Sequence, residues 1–155
     1  MDLFNQNEVK AEWLHPTEFP SMKERDVVAI DLETCDTDLK KMGPGWPRKV
    51  GDVIGIAISS GDFTAYYPIA HEGGGNMDRS IIIEYIKEIC EDESIQKVFH
   101  NAQYDIGWLS VLNIEVKGYI HDTMIAAALL NENRYSFTLN SMVSEYLGEF
   151  KNESL

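Results

Sequence analysis

The spacing of apolar residues changes part-way along this chain, from runs typical of strands to a spacing typical of helices. Residues 26–33, 52–59 and 63–70 are rich in β-branched and aromatic residues and predict three strands. A three-residue polar turn joins the second strand to the third, which favours a hairpin with antiparallel pairing. Residues 34–51 contain several glycines and prolines, which break helix and strand alike, so this stretch is predicted to be a loop.

From residue 78 onward, apolar residues recur at helical spacing between short strands. Helices are predicted over 78–90, 101–112, 122–130 and 138–147, and strands over 97–100 and 118–121. Asp78 and Asp122 are expected N-caps, and Gly148 is expected to end the last helix. Strands joined by helical crossovers pair in parallel. The predicted fold class is therefore α/β, with a mixed five-stranded sheet of three antiparallel strands then two parallel ones, flanked by helices.

Composition narrows the class of protein. A length of 155 residues suffices for one domain with a core, and we expect an N-terminal arm over 1–25, with a short strand near Trp13, before a domain over 26–155. No apolar run is long enough to span a bilayer, and no signal-peptide pattern is present, so no membrane contact is expected. Cys35 and Cys90 form no CxxC motif, which favours a reduced cytosolic setting.

The formal net charge of −13 argues against a general surface for binding polyanions. Lys40, Lys41, Arg48 and Lys49 nevertheless cluster around one loop. Any contact with nucleic acid should therefore be local and assisted by a metal ion. Trp46 lies on the same loop and either packs on the core or stacks on a ligand, and core packing is the favoured interpretation.

Two carboxylates stand at the end of the first predicted strand. Asp31 and Glu33 are two residues apart, so they share one face of the strand. Like charges placed together cost free energy unless a proton or a cation neutralises them. A divalent ion with oxygen ligands would do so. The alternative is a strand that runs into an acidic, solvated loop.

A second polar cluster joins the strand at 97–100 to the next helix. Asn101 and Asp105 are four residues apart and share a helix face. If this strand lies beside the first, Asp105 approaches Asp31 and Glu33 in the crevice beyond the strand ends. The alternative is structural, with Asn101 capping the helix and Asp105 favouring its N-terminal dipole.

The motif Asp-Leu-Glu-Thr at 31–34, followed by His-Asn-Ala-Gln-Tyr-Asp at 100–105, resembles the first two exonuclease motifs of the DEDD superfamily. Its members are RNase H-like 3′–5′ exonucleases. More narrowly, residues 25–150 look like the proofreading domain of family A DNA polymerases, in the form found in bacteriophages. Further likeness comes from the segments 42–46, 71–76, 121–124 and 135–140.

The resemblance implies an RNase H-like fold and hydrolysis of phosphodiester bonds at DNA 3′ ends, releasing nucleoside monophosphates. By resemblance, two divalent ions, Mg²⁺ or Mn²⁺, would bind to Asp31, Glu33 and Asp105. Asp31 would bridge the ions and Glu33 would bind the one that activates the attacking water. Asp105 would support the second ion, partly through water.

The resemblance also implies residues that line the path of the single strand. Thr34, Asn101 and Tyr104 match these substrate-binding positions. An aromatic ring at 104 can stack on a base without reading its identity, as proofreading requires. Packing of Tyr104 in the core is an equally good interpretation of the same residue.

The third motif of the family is a tyrosine or histidine followed four residues later by an aspartate. Tyr135 and Tyr146 are followed at that distance by Leu139 and Phe150. Asp122 is the last aspartate of the 155 residues, and a structural cap is favoured for it over the alternative of a metal ligand. The domain is therefore expected to be C-terminally incomplete, as a fragment, a split gene or a repurposed fold. An exposed apolar face is expected where the missing helix would pack.

Two functions remain after these observations. The first is a metal-dependent 3′–5′ DNA exonuclease within a larger or split DNA polymerase, completed by a polymerase domain or a companion polypeptide. It would act in the cytoplasm of a bacterial host if the chain derives from a phage. The alternative is a non-catalytic RNase H-like module that binds nucleic acid or protein. A ribonuclease of the same superfamily is a third possibility, since the first two motifs do not distinguish DNA from RNA.

Overall fold

A five-stranded mixed sheet lies at the centre of the computed structural model, which describes residues 16–149. Its strands are β1 (Val27–Cys35), β2 (Asp52–Ser60), β3 (Phe63–Pro68), β4 (Gln96–Phe99) and β5 (Ile120–Asp122). They lie in the order β3-β2-β1-β4-β5, with β1–β2 and β2–β3 antiparallel and β1–β4 and β4–β5 parallel. The predicted α/β sheet is confirmed. The strand expected near Trp13 lies outside the described residues.

Helices connect and flank the strands. They are α1 (Leu39–Met42), α2 (Arg79–Glu91), α3 (Ala102–Val111), α4 (Thr123–Leu130) and α5 (Leu139–Leu147), with a 3₁₀ turn at Trp46–Arg48. Asp78 caps α2 by accepting hydrogen bonds from two backbone N–H groups, as predicted. Gly148, with a φ of 68°, ends α5 as predicted.

The segment 34–51 corrects the sequence prediction. It was expected to contain neither helix nor strand, yet β1 extends to Cys35 and α1 follows within the loop. The four residues of α1 are Leu, Lys, Lys and Met, all good helix formers, and the first glycine comes only after them. Glycine and proline therefore limit this helix to one turn without preventing it.

Alternation along β1 separates a core face from an open face. Val28, Ile30 and Leu32 are buried, whereas Asp31 and Glu33 point to the opposite, exposed side. The same hydrophobic core includes residues from both α2 and α3, which cover the buried face of the sheet. The predicted sharing of one face by the two carboxylates is thus confirmed.

Part of the segment expected to be an arm belongs to the core. The ring of Phe19 stacks on that of Tyr67 with their centroids 5.6 Å apart, and it meets the ring of Tyr85 edge-on. Met22 is 2% exposed. Residues 16–25 therefore contribute to packing on the α2 side of the sheet.

Exposed apolar side chains gather on α4 and α5. Leu129 is 84% exposed and Leu130 is 76% exposed, and Ile125, Tyr146 and Leu147 are exposed as well. An apolar face of this kind is expected from the sequence near the end of the chain. None of the helices between residues 16 and 149 combines the length and hydrophobicity needed to cross a membrane.

Candidate active site

The two acidic motifs meet where β1 extends beyond its ladder with β4. Asp105, on α3, is 4% exposed, and its Oδ1 accepts a hydrogen bond from the backbone N–H of Leu32 at 3.1 Å. β4 pairs with β1 only over residues 27–29, so the N–H of Leu32 lies beyond that ladder. This bond brings Asp105 to β1 beside Asp31, whose negative charge acts on it.

Burial changes the acidity of Asp105. Desolvation raises the pKa of its carboxyl group to about 7, and the negative charges of Asp31 and Asp122 act in the same direction. The hydrogen bond from Leu32 opposes the shift without cancelling it. Near neutral pH this carboxyl group is therefore partly protonated. A cation nearby would favour its ionised form, because metal ligation requires the deprotonated group.

The donor chemistry of the three carboxylates suits a hard divalent ion. Carboxylate oxygens are the ligands that Mg²⁺ and Mn²⁺ prefer. Between residues 16 and 149, however, no three His, Cys, Asp or Glu side chains lie close enough together to form a ready-made metal site. The residue types fit the ions, and ion binding by Asp31, Glu33 and Asp105 stays a prediction.

Thr34 and Tyr104 lie together beside these carboxylates. The Oγ1 of Thr34 and the Oη of Tyr104 are 2.7 Å apart, and the same Oη donates to Asp36 Oδ2 at 3.4 Å. The ring of Tyr104 also packs edge-on against Trp108, with centroids 6.5 Å apart. Tyr104 thus combines core packing with a hydroxyl group at the strand end, and the sequence suggested each of these roles separately.

Asn101 does not cap α3 with its side chain, so the structural alternative for this residue is wrong. Its backbone adopts a left-handed conformation with a φ of 72°, and its side chain forms no capping hydrogen bond. The carboxylate of Asp122 instead accepts from the N–H groups of Asn101, at 3.1 Å, and Ala102, at 2.8 Å. The side chain of Asn101 is left exposed at the turn before α3.

Asp122 caps two helices at once. Besides the N–H groups at the start of α3, it accepts those of Met124, at 2.9 Å, and Ile125, at 3.3 Å, at the start of α4. Partial burial raises the pKa of Asp122, but these four donors together outweigh burial and hold the pKa below its ordinary value. The predicted capping role is confirmed and extended to a second helix.

His100 fixes the segment before α5 to the end of β4. Its Nε2 lies 2.8 Å from the carbonyl oxygen of Phe137, and its Nδ1 lies 2.9 Å from Thr123 Oγ1. A groove of about 250 Å³ runs from His100 past Asp31 over the open face of the sheet. Its lining is mainly apolar, with Ala29, Ala57 and Leu139 among the residues that form it.

A family model described as 3′–5′ exonuclease matches residues 16–154. The chain belongs to the 3′–5′ exonuclease domains of family A DNA polymerases. A DNA-directed DNA polymerase of Pseudomonas phage M6 is 33% identical over 153 residues, which is 95% of this chain. The match covers 23% of that polymerase, so this exonuclease domain spans less than a quarter of its relative.

Solved structures share the fold of this exonuclease domain. NrnC of Brucella melitensis with bound Mg²⁺ is 24% identical, with a TM-score of 0.60 over 88% of this chain and 61% of that one. RNase D of Escherichia coli, an exoribonuclease involved in structured RNA processing, is 23% identical, with a TM-score of 0.61 over 86% of this chain and 31% of that one. At these identities the likeness shows the RNase H-like fold.

The exonuclease domain places one polar pair near Glu33 that the sequence did not single out as a site. Glu33 pairs with Gly55 of β2, and the hydroxyl group of Tyr66 lies directly over Gly55. Tyr66 Oη is 2.5 Å from His71 Nε2, and Asn76 holds the backbone of His71 through its N–H and C=O groups. Strand alternation separates Tyr66 from the buried Tyr67, but only the register shows which tyrosine faces Glu33.

Proposed function

We propose that this chain is the metal-dependent 3′–5′ exonuclease unit of a family A DNA polymerase. It would hydrolyse phosphodiester bonds at the 3′ end of single-stranded DNA and release nucleoside monophosphates. The observation that supports this most strongly is the hydrogen bond from Leu32 to Asp105, residues 73 positions apart in sequence. It joins the two acidic motifs where β1 extends beyond its ladder with β4, beside a crevice of the kind where open sheets bind ligands.

In this proposal Asp31, Glu33 and Asp105 hold two divalent ions, Mg²⁺ or Mn²⁺. When bound, such ions lower the pKa of an attacking water and stabilise a leaving oxygen. The buried Asp105 would present a carboxylate fixed by its bond to β1. The structure of Brucella NrnC with bound Mg²⁺ supports metal use in this fold.

Substrate positioning falls to the residues around the carboxylates. Two hydroxyl groups, those of Thr34 and Tyr104, lie together where β1 ends beside the start of α3. The exposed Asn101 lies at the turn between β4 and α3. These residues would orient the terminal nucleotides by contacting the sugar-phosphate backbone and a base face, which requires no sequence readout. This indifference to sequence suits an enzyme that removes any nucleotide from a 3′ end.

The wider assembly is also a proposal. Because the phage relative is a much longer polymerase, we infer that a polymerase domain or a companion polypeptide acts with this chain in the cytoplasm of a bacterial host. Such a partner would also supply the third exonuclease motif, since neither Tyr135 nor Tyr146 has an aspartate four residues later.

A second candidate function is a non-catalytic module with the same fold. One observation favours it: among residues 16–149, no three His, Cys, Asp or Glu side chains form a ready-made metal site. In that case the chain would bind a partner or nucleic acid without cleaving it.

Cleavage by the purified 155-residue chain is the direct test of the first candidate. A 5′-labelled single-stranded DNA with a free 3′ end is incubated with the chain and Mn²⁺, beside Asp31→Ala and the matched control Glu84→Ala. Glu84 is exposed on α2, away from the open face. Stepwise 3′ shortening by wild type and Glu84→Ala, but not by Asp31→Ala, supports the exonuclease. We expect the loss to reach orders of magnitude, because catalytic groups act as a unit.

No shortening by the folded wild-type chain, with circular dichroism as the check on folding, would mean that the chain is either a fragment that needs its partner for cleavage or a non-catalytic module. An equal loss in Glu84→Ala would show that Asp31 has no special role. A labelled RNA of the same sequence, run in parallel, tests the ribonuclease alternative, and faster shortening of RNA would replace DNA as the proposed substrate.

A further inference from the structure

The segment Leu39–Val50, called here the basic loop, is positively charged in an acidic chain. It contains Lys40, Lys41, Arg48 and Lys49 and no acidic residue, whereas the whole chain has a net charge of −13. All four side chains are exposed. None of them forms an ion pair with another side chain of residues 16–149. Their charge is therefore available to a partner.

Three acidic residues flank the basic loop, and one of them is already paired with another side chain. Asp52, which follows it, is paired with Arg79 at 2.7 Å. Asp36, which precedes it, turns inward, and its Oδ2 accepts the backbone N–H of Gly45 at 2.8 Å. Asp38 is half-buried before α1. The four exposed cations outnumber the two flanking acids that form no ion pair within residues 16–149, so the basic loop carries a local excess of positive charge that can attract an anionic partner.

The basic loop is held in one conformation by contacts with the domain. Within it, the N–H of Val50 donates to the carbonyl oxygen of Gly45 at 3.1 Å. The ring of Trp46 lies on Gly107 of α3, so closely that a Cβ at residue 107 would come within 2.3 Å of the ring. Core packing of Trp46, the interpretation favoured from sequence, is confirmed. Because the loop is already ordered, binding would cost little further conformational entropy.

A chain of hydrogen bonds connects the basic loop to the candidate active site. Gly45 donates to Asp36, whose Oδ2 also accepts from Tyr104 Oη at 3.4 Å. Tyr104 Oη lies 2.7 Å from Thr34 Oγ1, one residue beyond Glu33 on β1. A single strand that contacts Thr34 and Tyr104 would therefore meet the basic loop as it leaves the site.

We propose that the basic loop binds the phosphate backbone of single-stranded DNA on the 5′ side of the nucleotide being removed. Lys and Arg side chains gain affinity for such a strand by releasing its condensed counterions. Elsewhere the negative surface repels the strand, so a local contact would also set its direction. The identity of the strand rests on the proposed function, whereas the binding surface can be tested without cleavage.

The test is fluorescence anisotropy with a labelled oligothymidylate over a range of salt concentrations, in the Asp31→Ala background to prevent cleavage. The loop variant is Lys40→Gln with Lys41→Gln. The matched control is Lys23→Gln with Lys87→Gln, which removes the same charge; Lys23 lies beside Tyr85 and Glu88 of α2, away from the loop. A poly-glutamate peptide of similar length serves as a competitor.

We expect the loop variant to weaken binding about tenfold at low salt and to reduce the steepness of the log-log salt dependence by about 1.4, the value for two lost phosphate contacts on a single strand. The control should stay within about twofold of the parent. Adding Arg48→Gln and Lys49→Gln should roughly double the change in slope, again as two further contacts would predict.

Three results would overturn the proposal. Equal weakening by loop variant and control would mean that only net charge matters. If the parent chain did not bind DNA, the proposed binding surface would be wrong. Cleavage by the wild type would still test the proposed function separately. Competition by poly-glutamate as effective as that by unlabelled DNA would assign the loop to an acidic protein partner instead.

Discussion

Lys97 and Asp105 are charged residues buried in the core among residues 16–149, and they lie at opposite ends of β4. Lys97 is fully buried in β4 itself, and its ammonium group donates to the carbonyl oxygens of Asp92 and Lys117. Asp105, just beyond the other end, has one backbone N–H on its Oδ1 and two like charges nearby. Both groups are therefore buried, but Lys97 lies among hydrogen-bond acceptors and Asp105 lies near like charges.

The two environments act differently on the buried charges: hydrogen bonds partly offset the cost of burying the ammonium group of Lys97, whereas like charges add to the cost of burying the carboxylate of Asp105. Burial lowers the pKa of Lys97, but neighbouring negative groups oppose the shift, and two carbonyl oxygens hold the ammonium group. At Asp105 the surroundings add repulsion to desolvation, and the pKa rises to about 7. A buried group whose ionised form is disfavoured by its surroundings is typical of a functional site, where a bound ligand stabilises that form. Substitutions at the two residues should consequently act in opposite directions.

The largest effect is expected for Asp105→Asn without metal. The asparagine keeps an oxygen for the N–H of Leu32 but has no charge to bury. Because the folded pKa of Asp105 lies above 3.8, the folded state binds the extra proton, and wild-type stability falls as pH rises from about 4 to about 7. The advantage of Asp105→Asn in free energy of unfolding should grow by about 3 kcal/mol between pH 5 and pH 8.

Urea unfolding at both pH values in EDTA measures this difference. Taking the difference between variant and wild type removes the pH dependence that both proteins share. Glu84→Gln, the same change at an exposed residue of α2, is the control and should show almost no pH-dependent difference. A gap between Asp105→Asn and wild type that does not change with pH would mean that Asp105 is not a strained carboxyl group.

Divalent ions should narrow this difference in stability. At pH 8 and an Mn²⁺ concentration 100 times its Kd, the wild type should gain about 2.7 kcal/mol, because the ion binds only the folded state. Asp105→Asn should gain much less, since it lacks one proposed ligand. Denaturant titrations with and without Mn²⁺ measure both gains. Equal gains in the two proteins would exclude Asp105 from the metal site.

Lys97→Met should lower the free energy of unfolding by about 2 kcal/mol, because two buried carbonyl oxygens lose their hydrogen-bond donor. Part of the effect is offset, since the methionine does not have the cost of burying a charge. The Mn²⁺-dependent gain should stay at its wild-type value. Lys87→Met, on the half-exposed side of α2, is the control. A Lys97→Met protein more stable than the wild type would show that the buried ammonium group destabilises the folded state.

The smallest effect is expected at the hydroxyl pair beside the site. Thr34→Val and Tyr104→Phe each remove one partner of the same 2.7 Å hydrogen bond. A double-mutant cycle in denaturant should give a coupling energy of about 1 kcal/mol. Affinity for single-stranded DNA, measured by anisotropy on the same four proteins, should fall with either substitution. Strict additivity in stability would mean that the two hydroxyl groups are not coupled.

Much of the fold follows from local patterns. The order of strands and helices, the caps at Asp78 and Gly148, and the common face of Asp31 and Glu33 were all predicted correctly, because side-chain alternation and capping depend on neighbours in sequence. The one-turn helix α1 was missed, since glycine and proline nearby outweighed four good helix formers.

The site depends on contacts that no local pattern contains. Asn101 was a plausible cap for α3, yet the cap comes from Asp122, 21 residues later, because parallel pairing of β5 with β4 sets the two helix starts side by side. The residue types at positions 31, 33 and 105 are a property of the sequence, and a shared motif pattern sufficed to indicate the family. Only the tertiary structure decided that Asp105 is buried against Leu32 with a raised pKa, because desolvation and through-space repulsion depend on which distant segments the sheet brings together.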